Sequence, residues 1–173
     1  MKAIFVDIDG PLAWGTWMDG PITLESFSNT GKDIEIPYGW VRGDCEALAE
    51  ILERTDSYAV VTSDWRRFYT LAQLRVIFSH HGVPTYRIVD VTSQYNPGRK
   101  MSSSIEWERA QDISNWVKTF KPKHWIVIDD MPLGSSFKHF GIPQWRLVQA
   151  DGDFGTVGKL RDKIEECVTK LNR

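Results

Sequence analysis

Two pairs of carboxylates follow apolar stretches that lie far apart in the chain. The segment FVDIDG carries Asp7 and Asp9, and the segment IVIDD carries Asp129 and Asp130. Like charges this close together are costly unless a cation lies beside them. Mg²⁺ fits best, because it takes oxygen ligands and retains several waters. The pattern therefore predicts a metal site built from Asp7, Asp9, Asp129 and Asp130.

The polar residues near these acids suit a phosphate group. The segment VVTSD ends an apolar run with Thr62 and Ser63, whose hydroxyls could hold an oxyanion. Arg109 lies in the helical segment before IVIDD and could neutralise phosphate oxygens together with the metal. An aspartate could then attack phosphorus and carry the phosphoryl group as an aspartyl-phosphate. This set of residues favours hydrolysis of a phosphate monoester.

Five short apolar runs are predicted as strands, at residues 3–8, 58–62, 86–91, 124–129 and 145–150. Each run is nearly continuously apolar, which is typical of strands covered on both faces of a parallel sheet. Helical patterns lie between them, and this alternation predicts βαβ units. We therefore expect an α/β fold with a Rossmann-like parallel five-stranded sheet flanked by helices. Ligands bind such sheets at the carboxyl ends of the strands, where the aspartates are expected.

Apolar periodicity predicts helices over residues 43–55, 64–82, 104–120 and 155–173. Asp44 is expected to cap the first of them, and Gly82 is expected to end the second. Arg66 and Arg67 are interpreted as part of a solvated helix face, with contact to a second phosphate or another acidic group of the substrate as the alternative.

Residues 11–42 interrupt this alternation, because they are rich in glycine and proline and have no helical period. A loop of this length is usually functional or disordered, and its tryptophans argue against disorder. We predict a hairpin-like flap or small cap within a single domain that spans residues 1–173. Trp14 and Trp17 could form a hydrophobic lid that packs on itself, or one of them could stack on a nucleobase.

Composition narrows the classes of protein that the chain can represent. With 173 residues, one compact domain is expected. A net charge of −2 disfavours a large polynucleotide footprint. Cys45 and Cys167 are interpreted as free thiols of a reducing compartment, and no apolar run is long enough to cross a membrane. We expect a cytoplasmic protein, whose oligomeric state the sequence does not reveal.

In combination, the motifs resemble those of the haloacid dehalogenase (HAD) superfamily of phosphohydrolases. FVDIDG is similar to the first family motif, VVTSD to the second, RAQDISNW to the third and IVIDD to the fourth. They occur in the family order between residue 3 and about residue 131. One departure is Pro11, since the family usually has Thr or Val after the DxDG of the first motif.

The resemblance implies roles for the acids of the two strand ends. Asp7 would be the nucleophile and a metal ligand. Asp9 would be the general acid and then the general base, with its backbone carbonyl on the metal. Asp130 would be a direct or water-mediated metal ligand, and Asp129 a supporting acid.

The resemblance also implies which residues contact the phosphate. Thr62 would bind the transferring phosphoryl group, with Ser63 as the alternative. Arg109 would take the place usually held by lysine, and Lys100 is the other candidate for that basic position.

A closer likeness concerns the two ends of the chain. The segments DGPLA and GIPQWRLVQADGDFG resemble the 3′-phosphatase domains of polynucleotide kinase-phosphatases and HAD domains of RNA-repair proteins. This likeness implies a nucleotide substrate, either a nucleoside monophosphate or the 3′-phosphate end of a single-stranded nucleic acid. The alternatives are a phosphatase for a sugar phosphate or another small metabolite, and a HAD-like binding protein without turnover.

Overall fold

The computed structural model describes residues 1–13, 21–24, 34–37, 39–92, 104–150 and 159–173. Its strands in chain order are β1 (Lys2–Val6), β2 (Pro21–Leu24), β3 (Ile34–Pro37), β4 (Ser57–Val61), β5 (Ile88–Val91), β6 (His124–Asp129) and β7 (Leu147–Gln149). Five of them form one parallel sheet in the order β5-β4-β1-β6-β7. The predicted α/β fold with a five-stranded parallel sheet is therefore confirmed.

The continuous apolar runs arise because both faces of this sheet are covered. In β1, Ile4 and Val6 belong to one hydrophobic core, whereas Ala3 and Phe5 belong to the other. The helices are α1 (Arg42–Thr55), α2 (Leu71–His80), α3 (Ile105–Phe120), α4 (Gly134–His139) and α5 (Ile164–Leu171). Buried residues of α1, α2 and α5 line the first core, and those of α3 and α4 line the second.

The start of α1 differs from the prediction. Val41 occupies the N-cap position, so Asp44 lies inside the first turn and does not cap the helix. Its buried carboxylate instead accepts hydrogen bonds from the backbone N–H groups of Leu160, at 3.0 Å, and Arg161, at 3.3 Å. Asp44 therefore ties the first helix to the segment that leads into α5.

The prediction of one helix over residues 64–82 was wrong. A short 3₁₀ helix, Asp64–Arg67, is followed by a break, and α2 begins only at Leu71. Thr70 accepts a hydrogen bond from the Gln73 N–H, and the Gln73 side chain accepts one from the Thr70 N–H. This reciprocal capping box is readable in the sequence as TxxQ and fixes where α2 starts.

The insertion after β1 contains an antiparallel pair of strands, β2 and β3, in register from Pro21–Pro37 to Leu24–Ile34. Ala13 forms an isolated bridge with Trp40, so the insertion leaves and re-enters the described fold at neighbouring points. This pair lies within residues 11–42, and the hairpin-like flap or small cap over the sheet edge stays a prediction. In the described ranges no helix is both long enough and apolar enough to cross a membrane.

Candidate active site

The register of the sheet brings three predicted site residues into one row. Val6 of β1 lies opposite Val61 of β4 and Ile128 of β6. The next residues along these strands are Asp7, Thr62 and Asp129, and backbone hydrogen bonds of the ladder continue to them. Because the strands are parallel, the row lies at the carboxyl edge of the sheet, as predicted.

Three carboxylates converge at this edge. Asp7, Asp129 and Asp130 each offer an oxygen, and these oxygens all lie within 4.8 Å of one another. Asp7 and Asp129 are buried, whereas Asp130 is half-buried. Burial raises the pKa of Asp7, and the charge of Asp129 raises it further. Such a group of hard oxygen donors is what Mg²⁺ binds in proteins.

Gly10 gives this group its space. The backbone φ of Gly10 is +92°, a conformation that side chains strongly disfavour. A Cβ placed there would lie 2.5 Å from Cγ of Asp130. The glycine of the DxDG motif is therefore required both by the turn and by the carboxylate beside it.

Arg109 of α3 bridges two of these acids. Its Nη1 donates hydrogen bonds to Oδ2 of Asp7 and, at 2.8 Å, to Oδ2 of Asp129. The guanidinium is buried, and its charge opposes the rise in pKa that burial imposes on both carboxyl groups. The predicted basic residue therefore lies in the site, where it contacts these two acids. Its contact with a phosphate stays a prediction.

The side-chain hydroxyls of Thr62 and Ser63, which follow β4, have different hydrogen-bond partners. The Thr62 hydroxyl donates to the backbone carbonyl of Val60 at 3.3 Å. The Ser63 hydroxyl forms a hydrogen bond with the Asp7 carboxylate, which lowers the pKa of Asp7. Of the two phosphate-binding candidates, Ser63 is the one whose side chain contacts the Asp7 carboxylate.

Asp9 lies apart from the group of three carboxylates. Its Oδ2 accepts a hydrogen bond from the indole Nε1 of Trp65 at 2.9 Å. Burial raises the pKa of Asp9, and the hydrogen bond from Trp65 partly offsets that rise. Trp65 was not among the predicted site residues, and its only signal in the sequence is an aromatic side chain directly after VVTSD.

Arg66 is not on a solvated face, contrary to the prediction. It is buried, and its Nη1 donates to the backbone carbonyls of Thr62 and Ser63. Its Nη2 donates to Oδ2 of Asp112 on α3 at 2.9 Å. Arg66 therefore fastens the turn after β4 to the helix that carries Arg109.

Other predicted residues fall elsewhere. Arg67 is exposed and pairs with Asp64 and Glu108, both at 3.1 Å. Trp14, Trp17 and Lys100 lie outside the described residues, so their predicted roles stay predictions. Both cysteines are buried free thiols, as expected.

The chain matches a known protein family. The model of a family described as the HAD domain in Swiss Army Knife RNA repair proteins matches residues 3–156. This range includes both strand ends that carry the aspartates, the turn with Ser63 and Trp65, and the start of α3. No protein of curated function matches the chain.

Proposed function

The chain belongs to the family of HAD domains in Swiss Army Knife RNA repair proteins, which are phosphatase domains, and we propose that it hydrolyses phosphate monoesters of nucleotides with Mg²⁺ as cofactor. One observation carries the proposal: carboxylate oxygens of Asp7, Asp129 and Asp130 lie within 4.8 Å of one another beside the buried Arg109. Three acids and one cation at the carboxyl edge of a parallel sheet suit phosphoryl transfer.

The donor set fits Mg²⁺, because all its ligands would be oxygens and Gly10 leaves room beside Asp130. Asp7 and Asp130 would hold the ion, with Asp129 in support and the backbone carbonyl of Asp9 as a further ligand. When bound, Mg²⁺ would polarise a phosphate oxygen and offset the charge of the carboxylates.

In the first half of the reaction, a carboxylate oxygen of Asp7 forms a bond to phosphorus. The bond between phosphorus and the leaving oxygen breaks, and its electron pair goes to that oxygen. Asp9 gives the leaving oxygen a proton, so a neutral alcohol departs and the phosphoryl group stays on Asp7.

In the second half, Asp9 takes a proton from a water molecule whose oxygen forms a bond to phosphorus. The bond between phosphorus and Asp7 breaks, which releases inorganic phosphate and restores the Asp7 carboxylate. Asp9 ends this step protonated, ready for the next substrate. The sum is one ester and one water consumed, and one alcohol and one phosphate formed.

The remaining polar groups would hold the nucleophile and the phosphoryl oxygens. Arg109 and Ser63 both contact Asp7, and both oppose the rise in its pKa, which favours the ionised form that attacks. A guanidinium has five N–H donors, so the donors of Arg109 beyond those on the two acids would meet phosphate oxygens. Thr62 or Ser63 would bind the transferring phosphoryl group.

The first experiment tests the reaction. The protein is expected to release phosphate from p-nitrophenyl phosphate with Mg²⁺ and to stop in excess EDTA. Asp7→Asn should lower the rate by at least about 1,000-fold, because it removes the nucleophile. A matched control is Asp56→Asn, which alters an exposed carboxylate just before β4, and its rate should stay unchanged. Equal rates for Asp7→Asn and the wild type would contradict the proposal.

A second experiment tests the covalent step. Acid-quenched wild-type protein should carry a phosphoryl label that hydroxylamine removes, as an acyl phosphate requires. The label should be absent from Asp7→Asn. A label that survives hydroxylamine, or one that persists in Asp7→Asn, would exclude Asp7 as the residue that carries it.

A third experiment tests the substrate class, for which the RNA-repair description of the family gives the support. Values of kcat/KM would be compared for nucleoside monophosphates, 3′- and 5′-phosphorylated oligonucleotides and a sugar phosphate. If an indole stacks on the base, Trp14→Ala or Trp17→Ala should weaken nucleotide use roughly 5- to 150-fold, from about 1–3 kcal/mol per base. Use of the sugar phosphate should not change. A preference for the sugar phosphate would instead indicate a metabolite phosphatase.

A further inference from the structure

Trp65 makes a side-chain hydrogen bond in which it can only be the donor. Its indole Nε1 lies 2.9 Å from Oδ2 of Asp9. An indole nitrogen donates and cannot accept, so Oδ2 of Asp9 must be the acceptor in this pair. A protonated Oδ2 would be a weaker acceptor for the indole N–H, whereas a proton on Oδ1 leaves Oδ2 as the carbonyl oxygen, which is the better acceptor. The hydrogen bond therefore distinguishes the two oxygens of Asp9.

The indole is held firmly in this orientation. Trp65 is 4% exposed. Its ring stacks on Tyr69 at a centroid distance of 5.5 Å and packs perpendicular to the Trp40 ring at 5.4 Å. Such aromatic pairs are each worth about 0.5–1.5 kcal/mol beyond the area that they bury. The packing restricts rotation of the indole, so its N–H stays directed at Asp9.

The backbone before Trp65 is fixed as well. The backbone N–H of Trp65 donates to the Ser63 hydroxyl at 3.5 Å, and the same hydroxyl forms a hydrogen bond with the carboxylate of Asp7. Arg66 holds the carbonyls of Thr62 and Ser63 in place. One short turn after β4 thus contacts both acids of the first motif, Asp7 through Ser63 and Asp9 through Trp65.

From this geometry we propose that Trp65 is a positioning residue that keeps Oδ2 of Asp9 occupied, so that Oδ1 delivers the proton to the leaving oxygen. The inference rests on the proposed function, in which Asp9 is the proton donor. The proton passes from Oδ1 to the leaving oxygen as the bond between that oxygen and phosphorus breaks. Trp65 touches neither the substrate nor the metal in this role.

The proposal predicts which substrates need Trp65. A p-nitrophenolate leaves readily without a proton, whereas an aliphatic or ribose alkoxide is a poor leaving group that depends on general acid catalysis. Loss of the indole N–H should therefore slow aliphatic phosphates much more than aryl phosphates. A purely structural role would slow all esters by the same factor.

The test compares kcat/KM for a series of phosphate monoesters from p-nitrophenyl to alkyl phosphate and a nucleoside monophosphate. Trp65→Phe keeps an aromatic ring and removes the N–H. We expect kcat/KM to fall less than about threefold for the p-nitrophenyl ester and roughly 10- to 100-fold for the alkyl ester and the nucleotide. The larger loss corresponds to a part of the rate gain that general acid catalysis usually gives. In an Asp9→Asn background, Trp65→Phe should cause no further loss for any ester.

Trp116→Phe is the matched control. Trp116 is also buried, and its indole N–H also donates to an aspartate, Oδ2 of Asp90 at 2.7 Å. The control should change kcat/KM by one common factor across the series. If Trp65→Phe does not fold, site-specific replacement of Trp65 by 3-benzothienylalanine exchanges the N–H for sulfur at nearly constant shape.

The outcomes separate this inference from the proposed function. A uniform loss across the series, in either replacement of Trp65, would overturn the positioning role while phosphatase activity stands. An additional loss from Trp65→Phe in the Asp9→Asn background would overturn it too. A wild-type protein that turns over no ester, or an Asp7→Asn variant with full activity, would instead overturn the proposed function.

Discussion

Replacement of Arg109 tests the electrostatics of the site most directly. Nη1 of Arg109 contacts the carboxylates of both Asp7 and Asp129, and all three side chains are buried. Removal of one partner from a buried ion pair usually costs about 3–5 kcal/mol, because the other charge is left uncompensated. Arg109→Met should therefore lower the free energy of unfolding of the metal-free protein by about that amount near pH 8.

The loss should depend on pH in a defined direction. Burial raises the pKa of Asp7 and of Asp129 above that of an unfolded chain, and Arg109 opposes the rise. Without Arg109 the folded state binds more protons. Its stability then falls more steeply as pH rises, by about 1.4 kcal/mol per pH unit for each additional proton. From about pH 8 to about pH 5 the cost of the substitution should shrink to roughly 1 kcal/mol.

Urea denaturation in EDTA at both pH values measures these differences. Arg67→Met is the matched control, because Arg67 also pairs with two carboxylates, Asp64 and Glu108, but is exposed. It should cost less than about 1 kcal/mol at either pH. If Arg109→Met costs no more than Arg67→Met, or costs the same at both pH values, the electrostatic account of the site is wrong.

Three further predictions concern other residues. Arg66→Met and Asp112→Asn should each destabilise the protein by roughly 3–5 kcal/mol, and the double variant by clearly less than the sum, as urea denaturation would show. Gly10→Ala should raise the Mg²⁺ concentration for half-maximal activity at least about tenfold, because the added Cβ meets a carboxylate of the site. Gly82→Ala, with a φ of +84° but nothing within 4 Å, is its control and should leave the Mg²⁺ titration unchanged. Burial lowers the pKa of His81 to about 4, so the stability that is present above pH 6.5 should be lost as the pH falls toward 4. In thermal melts over a series of pH values, His81→Phe should reduce that loss.

The sequence alone determined the strands of the sheet and the acids at their ends. The five apolar runs were readable because a strand covered on both faces has no polar side, and both cores of this protein use residues of β1. The position of the acids followed from the same fact, since residues just beyond the last apolar position of parallel strands reach one edge of the sheet. The TxxQ signal that starts α2 was also present in the sequence, although the helical period of the residues before it obscured it.

Only the tertiary structure decided which side chains meet at that edge. Trp65 lies 56 residues from Asp9, and Arg66 lies 46 residues from Asp112. These contacts exist because β4 pairs with β1 and because α3 packs beside the turn after β4. Strand order and helix placement depend on the packing of the whole chain, and no local pattern encodes them. The sequence thus specified the chemical groups of the site, while the fold specified that an indole holds Asp9 and a guanidinium joins Asp7 to Asp129.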